Sequence, residues 1–231
     1  ADSPADVDAL HEKVAAAGCR IIHEPRVIDG PGGGYGFRFF SPDGLPFEIS
    51  ADVQKLDKRA MERWEGMPVN ISHIVLHSPD HKAMVGFFRD VLGFRVSDWL
   101  GDFMCFLRCN SAHHRIAILP GPPCLNHVAY DMLTLDDMMR GISRLRSLGT
   151  DIRWGPGRHL AGNNTFSYFT TPHGFAVEYT SELDEVDFDT HEDKVHEPAP
   201  QNMDQWSIGS GGPQTMPKPE ADARLFQAAE V

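Results

Sequence analysis

Two stretches far apart in the chain repeat one another, and that repeat limits the fold more than any other feature. Arg38-Phe39-Phe40-Ser41-Pro42-Asp43-Gly44-Leu45-Pro46-Phe47-Glu48 and Tyr168-Phe169-Thr170-Thr171-Pro172-His173-Gly174-Phe175-Ala176-Val177-Glu178 keep aromatic, Pro, Gly and Glu positions in register. A repeat of this kind marks a reused supersecondary unit. In each copy the Pro-x-Gly element predicts a tight hairpin between two strands. Upstream of each copy lies a helix that ends in glycine. One runs from Asp8 to Gly18 with Leu10, Val14 and Ala17 on one face, the other from Asp136 to Gly149 with Met138, Ile142, Leu145 and Leu148 on one face. A third helix is predicted with Ser78 as N-cap, Pro79 at its first position and Gly93 after its last turn. Its apolar residues Met84, Phe87, Phe88, Val91 and Leu92 follow the helical period, so this helix should lie on a sheet.

These elements predict an α+β architecture of paired βαβββ modules, with a mixed, curled sheet and the helices at 80–92 and 136–148 outside it. One module covers 69–120 and the next 124–181, giving a domain over 69–181. Residues 1–60 read as a partial module without its opening strand, which leads us to expect that the sequence begins inside a domain of a longer chain. Residues 182–231 form a C-terminal extension, acidic at first and then rich in Pro and Gly, that either wraps the domain or stays mobile.

A chain of 231 residues can bury a real core without disulfide support. Cys19, Cys105, Cys109 and Cys124 include no C-x-x-C pair, so they read as reduced thiols in a cytoplasmic protein. No apolar run is long enough for a membrane span and no basic-then-apolar stretch stands at the start of the sequence, so neither insertion nor secretion is expected. The formal net charge of -12, with no basic stretch to offset it, excludes nucleic acid and anionic membranes as partners. A small molecule is the expected partner.

Three polar side chains stand inside short apolar runs that read as strands: His73 in 71–76, His127 in 125–129 and Glu178 in 175–179. An imidazole or carboxylate in such a run is costly unless paired or bound to a metal, and three at nearly equal intervals suggest one shared partner. Two His and one carboxylate with other positions open is the ligand set of non-haem Fe(II) oxygenases. The alternative for each is an ordinary hydrogen-bonded core residue.

His113 and His114 precede the alternating run Arg115-Ile116-Ala117-Ile118-Leu119. If Ile116 and Ile118 face inward with His114, His113 points the other way. His114 is then a candidate acid/base beside the metal; otherwise the pair is a polar start to a strand. Tyr168 either hydrogen-bonds a ligand on the metal or packs as a core aromatic. His159 follows Gly155-Pro156-Gly157-Arg158, where a solvated loop histidine is the plain reading. His11, His23, His77, His81, His173, His191 and His196 read as surface residues.

Several of these motifs together resemble the type I extradiol ring-cleavage dioxygenases of the vicinal oxygen chelate superfamily. The resemblance extends over about residues 1–185. It rests on Asn110-x-x-His113-His114, on Leu125-Asn126-His127, and on Gly157-Arg158-His159 followed by Tyr168-x-x-Thr171-Pro172-x-Gly174-x-x-x-Glu178. It implies that His73, His127 and Glu178 bind Fe(II), that His114 is the acid/base, and that His159 and Tyr168 join it in contacting substrate. The implied reaction is extradiol cleavage of a catechol by O2, in a homo-oligomer, as part of aromatic catabolism. Residues 1–51 would be a metal-free module in which Glu48 is structural.

Two departures stand out. Leu160-Ala161-Gly162-Asn163-Asn164 replaces a polar Thr-Asn-Asp-His run of many relatives, and Ser167 replaces an apolar residue before Tyr168. Three other readings are open. A glyoxalase-like isomerase would take a second carboxylate ligand from the strand Ile116-Ala117-Ile118, which offers none. A thiol transferase of the fosfomycin-resistance type shares the His, His, Glu set but has no reason to keep His114. A non-catalytic ligand-binding module would have kept the fold alone.

Overall fold

The computed structural model describes residues 1–57, 59–62 and 64–217, and these fall into two compact units. Among the described residues, the first comprises residues 1–59 with 82–93, and the second residues 60–81 with 94–217.

In the first unit, α1 (Pro4–Ala16) precedes a three-stranded antiparallel sheet of β1 (Ile21–Val27), β2 (Tyr35–Phe40) and β3 (Pro46–Ala51). Helix α1 starts four residues before the Asp8 expected from periodicity, because the Ser3 hydroxyl accepts the Asp6 N–H and Pro4 fits the first turn. Its buried stripe is Val7 and Val14, whereas Ala17 lies past the last turn as the C-cap. Most of α2 (His81–Asp90) belongs to this unit, and its apolar stripe lies on the sheet as its period requires. Phe87 packs at 6.2 Å from Phe39, and Phe88 at 5.8 Å from Phe47. Ser78 does not cap this helix. It ends β4 (Asn70–Ser78), and Pro79 and Asp80 form the turn before the helix.

The second unit carries ten strands in one sheet. After β4 come β5 (Arg95–Leu100), β6 (Met104–Arg108) and β7 (Ile116–Pro120). The next module runs β8 (Cys124–Asp131), α3 (Leu135–Ser147), β9 (Ile152–Arg158), β10 (Thr165–Thr170) and β11 (Ala176–Ser181). The extension adds β12 (Lys194–His196), the single-turn α4 (Pro200–Met203) and β13 (Ser210–Gly211). The strand order is β12-β5-β6-β7-β4-β8-β11-β10-β9-β13. Each module is wound alike: its first strand pairs in parallel with its last, and β4 and β8 join the modules antiparallel. The repeat read in the sequence has the same register in both copies, with Arg38 opposite Glu48 and Tyr168 opposite Glu178.

The extension wraps this sheet through its described residues, pairing β12 with β5 at one edge and β13 with β9 at the other. Residues 218–231 lie outside the described residues. One face of the second module's strands is closed by α3, which Thr134 caps through the Asp137 N–H. Met132, Met138, Ile142, Phe169 and Tyr179 form the core there. The other face, covered by the extension with its single-turn α4, carries the buried polar residues.

Phe169 is 1 % exposed and packs in the apolar core beneath α3. Phe169→Ala should therefore cost about 3–5 kcal/mol of unfolding free energy, measured by urea denaturation, and leave metal binding intact.

Candidate active site

The three donors stand on the three central strands. Ala129 of β8 is the register partner of both His73 on β4 and Glu178 on β11, so all three side chains project to one face. His127, two residues before Ala129, shares that face. The donors are His73 Nε2 and His127 Nε2, at 3.3 Å and 3.1 Å from Glu178 Oε2. All three residues are buried, Glu178 completely.

The donor atoms fit a divalent cation. His127 Nε2 and Glu178 Oε2 are buried with no hydrogen-bond partner, which is costly in the absence of a cation between them. Burial would raise the Glu178 carboxyl, but His73 and His127 hold it well below the ordinary range, while burial pushes His127 down against the pull of Glu178. A carboxylate beside neutral imidazole is the state that binds metal. Asp98, His113 and His191 also lie close enough to hold an ion. Their polar atoms, however, are already engaged. Asp98 accepts from His113 Nε2 at 3.0 Å, His196 Nε2 at 2.7 Å and the Lys194 N–H at 3.0 Å, and His191 Nε2 donates to Ser97 O at 3.1 Å. That cluster is a closed hydrogen-bonded anchor for the extension.

A cavity of about 520 Å³ opens in front of the donors. His114 lines it, with its ring 4.4 Å from that of His73. The expected alternation fails at this point, because β7 begins only at Ile116 and the two histidines precede it. Ala117 and Leu119 face the cavity side, where Ile116 and Ile118 were expected. His113 is buried as well, bridging His114 Nδ1 at 3.0 Å and Asp98. Burial, reinforced by His73, pushes the His114 imidazole well below its ordinary value.

His159 is no solvated loop residue. Gly155 to Arg158 continue β9, and the His159 ring stacks on Phe166 at 3.9 Å. Its Nδ1 donates to Met203 O at 2.6 Å, so its Nε2 is free to accept the Tyr168 hydroxyl at 3.2 Å. Tyr168 stacks on Trp154 and meets the His127 ring edge-on at 5.1 Å. Burial, then Glu178, pushes its phenol well above its ordinary value, so it remains a donor.

Sequence reasoning missed several residues here. His77 lines the cavity, and strand parity with His73 and Val75 would have indicated it. His191 and His196 are drawn in by Asp98, and His11 is partly buried against Glu24. Asn164, in the departing run, donates to Glu178 Oε1 at 3.3 Å and to Thr180 Oγ1 at 2.9 Å. Met203 and Met216 of the extension also line the cavity, which no local pattern announces.

Residues 70–179 match the Glyoxalase/Bleomycin resistance protein/Dioxygenase superfamily. A solved structure, the Mn(II)-bound glyoxalase from Novosphingobium aromaticivorans, is 74% identical and superposes with a TM-score of 0.96 over 99% of this chain and 76% of its own. The chain belongs to this superfamily. Curated relatives within it carry dioxygenase names. Metapyrocatechase 2 of Cupriavidus necator is 27% identical over 202 residues, 78% of this chain and 62% of that protein. Biphenyl-2,3-diol 1,2-dioxygenase of Paraburkholderia xenovorans is 31% identical over 157 residues, 61% of this chain and 52% of that protein. The chain thus spans less than two thirds of either. The superfamily fold and the extradiol relatives agree with what the motifs implied.

Two measurements follow from this geometry. Glu178→Ala should lose the bound metal, read as metal content after desalting, and full occupancy would dismiss the donor set. At the closed cluster, burial would raise Asp98, but hydrogen bonds from His113 and His196 outweigh it and hold the carboxyl at about 2, against an ordinary 3.8. A depressed carboxyl stabilises the fold above its unfolded value, and the contribution is lost as pH falls toward 2. Asp98→Asn should therefore remove about 2 kcal/mol at pH 7 and much less near pH 2, measured by denaturant titration.

Proposed function

We propose that this protein cleaves a catechol-type ring beside its hydroxyl pair with O2, using Fe(II) held by His73, His127 and Glu178. The observation that supports this most is a three-donor set with no further carboxylate among the described residues at the cavity wall, facing His114, His159 and Tyr168. Held by these three residues, Fe(II) would supply Lewis acidity toward a diol and a means of passing electrons to O2.

The remaining work belongs to the side chains. His114 is neutral before substrate arrives, so it accepts the proton of a catechol hydroxyl and returns it to oxygen on the product side. Tyr168, kept protonated, gives its one hydroxyl proton to His159 Nε2, which holds the phenol in place and leaves its oxygen as a hydrogen-bond acceptor next to the donors. Phe103, Met104, Phe106 and Met203 surround the space with apolar surface that excludes water and suits an aromatic ring.

The 74% identical relative named a glyoxalase and bound to Mn(II) favours a second reading, an isomerase with manganese at the same donors. Such an enzyme would take another carboxylate ligand from β7, and Ile116–Pro120 supplies none. The two readings separate in one experiment: O2 uptake across a catechol panel, and isomerisation of a glutathione hemithioacetal, each with Fe(II)- and Mn(II)-loaded protein. Extradiol cleavage predicts O2 consumption with a yellow ring-opened product. Isomerisation without O2 uptake would replace it. Under the first outcome, His114→Phe should keep the metal and lower turnover by roughly 10²-fold or more.

A further inference from the structure

Behind His127 the hydrogen bonds run in one determined direction. Pro120 O can only accept, so His77 Nδ1, at 3.1 Å, is the protonated nitrogen of that ring. His77 Nε2 is then the acceptor, and it receives the Asn126 Nδ2 amide at 2.7 Å. This turns Asn126 Oδ1 toward His127, whose Nδ1 donates to it at 2.6 Å. The other nitrogen of His127, the unpartnered Nε2, is left with its lone pair toward Glu178. His73 has no such directive, because its Nδ1 faces the Ser72 hydroxyl at 3.2 Å, which can donate or accept. The anchor is shaped to fit: a Cβ on Gly121 would collide with the His77 ring, so glycine keeps the space that lets His77 reach Pro120.

We propose that His77 is a positioning residue: anchored on the Pro120 carbonyl and acting through Asn126, it dictates the tautomer in which His127 can bind a metal. Without the acceptor at His77 the Asn126 amide has no reason to keep its orientation. Turned over, its NH2 would face His127 Nδ1, which would have to accept, and the proton would move to Nε2. That nitrogen would no longer be a donor to metal. A ligand imidazole oriented through its second nitrogen is the general arrangement, and loss of such partners costs about 10–100-fold in affinity.

The proposal rests on His73, His127 and Glu178 as the metal site, but not on the reaction. Its test is Mn(II) affinity of the full chain, followed by the electron paramagnetic resonance signal of free Mn(II). His77→Leu should weaken binding about 10–100-fold. His77→Gln, whose carbonyl can accept the Asn126 amide, should restore most of it. Wild-type affinity in His77→Leu, or equal losses in the Leu and Gln variants, would overturn the assignment. Should His77→Leu fail to fold, histidine ¹⁵N shifts of the wild-type protein decide: both His77 and His127 must carry their proton on Nδ1. A proton on Nε2 of His77, in metal-free or zinc-loaded protein, refutes the chain of hydrogen bonds. Absence of Mn(II) binding by the wild type would instead reject the metal site, and the ¹⁵N result would still judge the tautomers.

Discussion

Everything at the candidate site depends on the register among β4, β8 and β11. Ala129, fully buried, sits between His73 and Glu178 in one cross-strand row, and His127 takes the adjacent row with Val75 and Ala176 as partners. A slip of one residue in any of the three strands would send its donor to the opposite face of the sheet. Burying three polar groups this way is costly, and because their free atoms converge, a single cation would offset that cost where no hydrogen bond does.

The two polar clusters of the second unit illustrate how the same residue types serve different ends. Around Asp98 each polar atom meets a complementary one, and the outcome is attachment of the extension to the edge strand β5. Around Glu178 the complement is incomplete at Oε2 and at His127 Nε2. Distance alone rates the clusters alike; counting donors and acceptors separates them. The His113–His114 contact links the two, so the group beside the cavity is supported from the cluster that fastens the extension.

Much of this was legible in the sequence wherever one side chain's environment follows from strand period. The repeated hairpins and the positions of His73, His127 and Glu178 in apolar runs are of that kind, and the helical period gives the α3 stripe up to Leu145, whereas Leu148, read on the same face, is the C-cap and exposed. His114 lines the cavity beside His73 as read, but the alternation invoked for it applies only inside a strand; both histidines precede β7, and His113 is buried against Asp98. His159 was misread for the opposite reason: the Gly-Pro-Gly that suggests a loop continues β9. The share of the extension in the cavity wall was beyond reach, since Met203 and Met216 arrive there by tertiary wrapping and their neighbours in sequence carry no period. Ser78 shows a local signal overruled, its cap propensity yielding to the continuing pairing of β4 with Pro120 on β7.

The relatives named for dioxygenase and glyoxalase chemistry share one superfamily, so the donor triad alone does not choose a reaction. The choice falls to what surrounds it. An isomerase must shift a carbon-bound proton, and needs a strong base held at the metal. A ring-cleaving oxygenase needs open positions, a dry pocket and a group that lends and recovers one proton. Here the wall next to the donors holds a neutral imidazole in His114, a protonated phenol in Tyr168 and apolar surface. No carboxylate among the described residues shares that wall apart from the ligand itself. Groups of this kind can pass a proton but are poor at abstracting one from carbon, and that asymmetry in proton affinity is the support the cavity wall lends to the proposed oxygen chemistry.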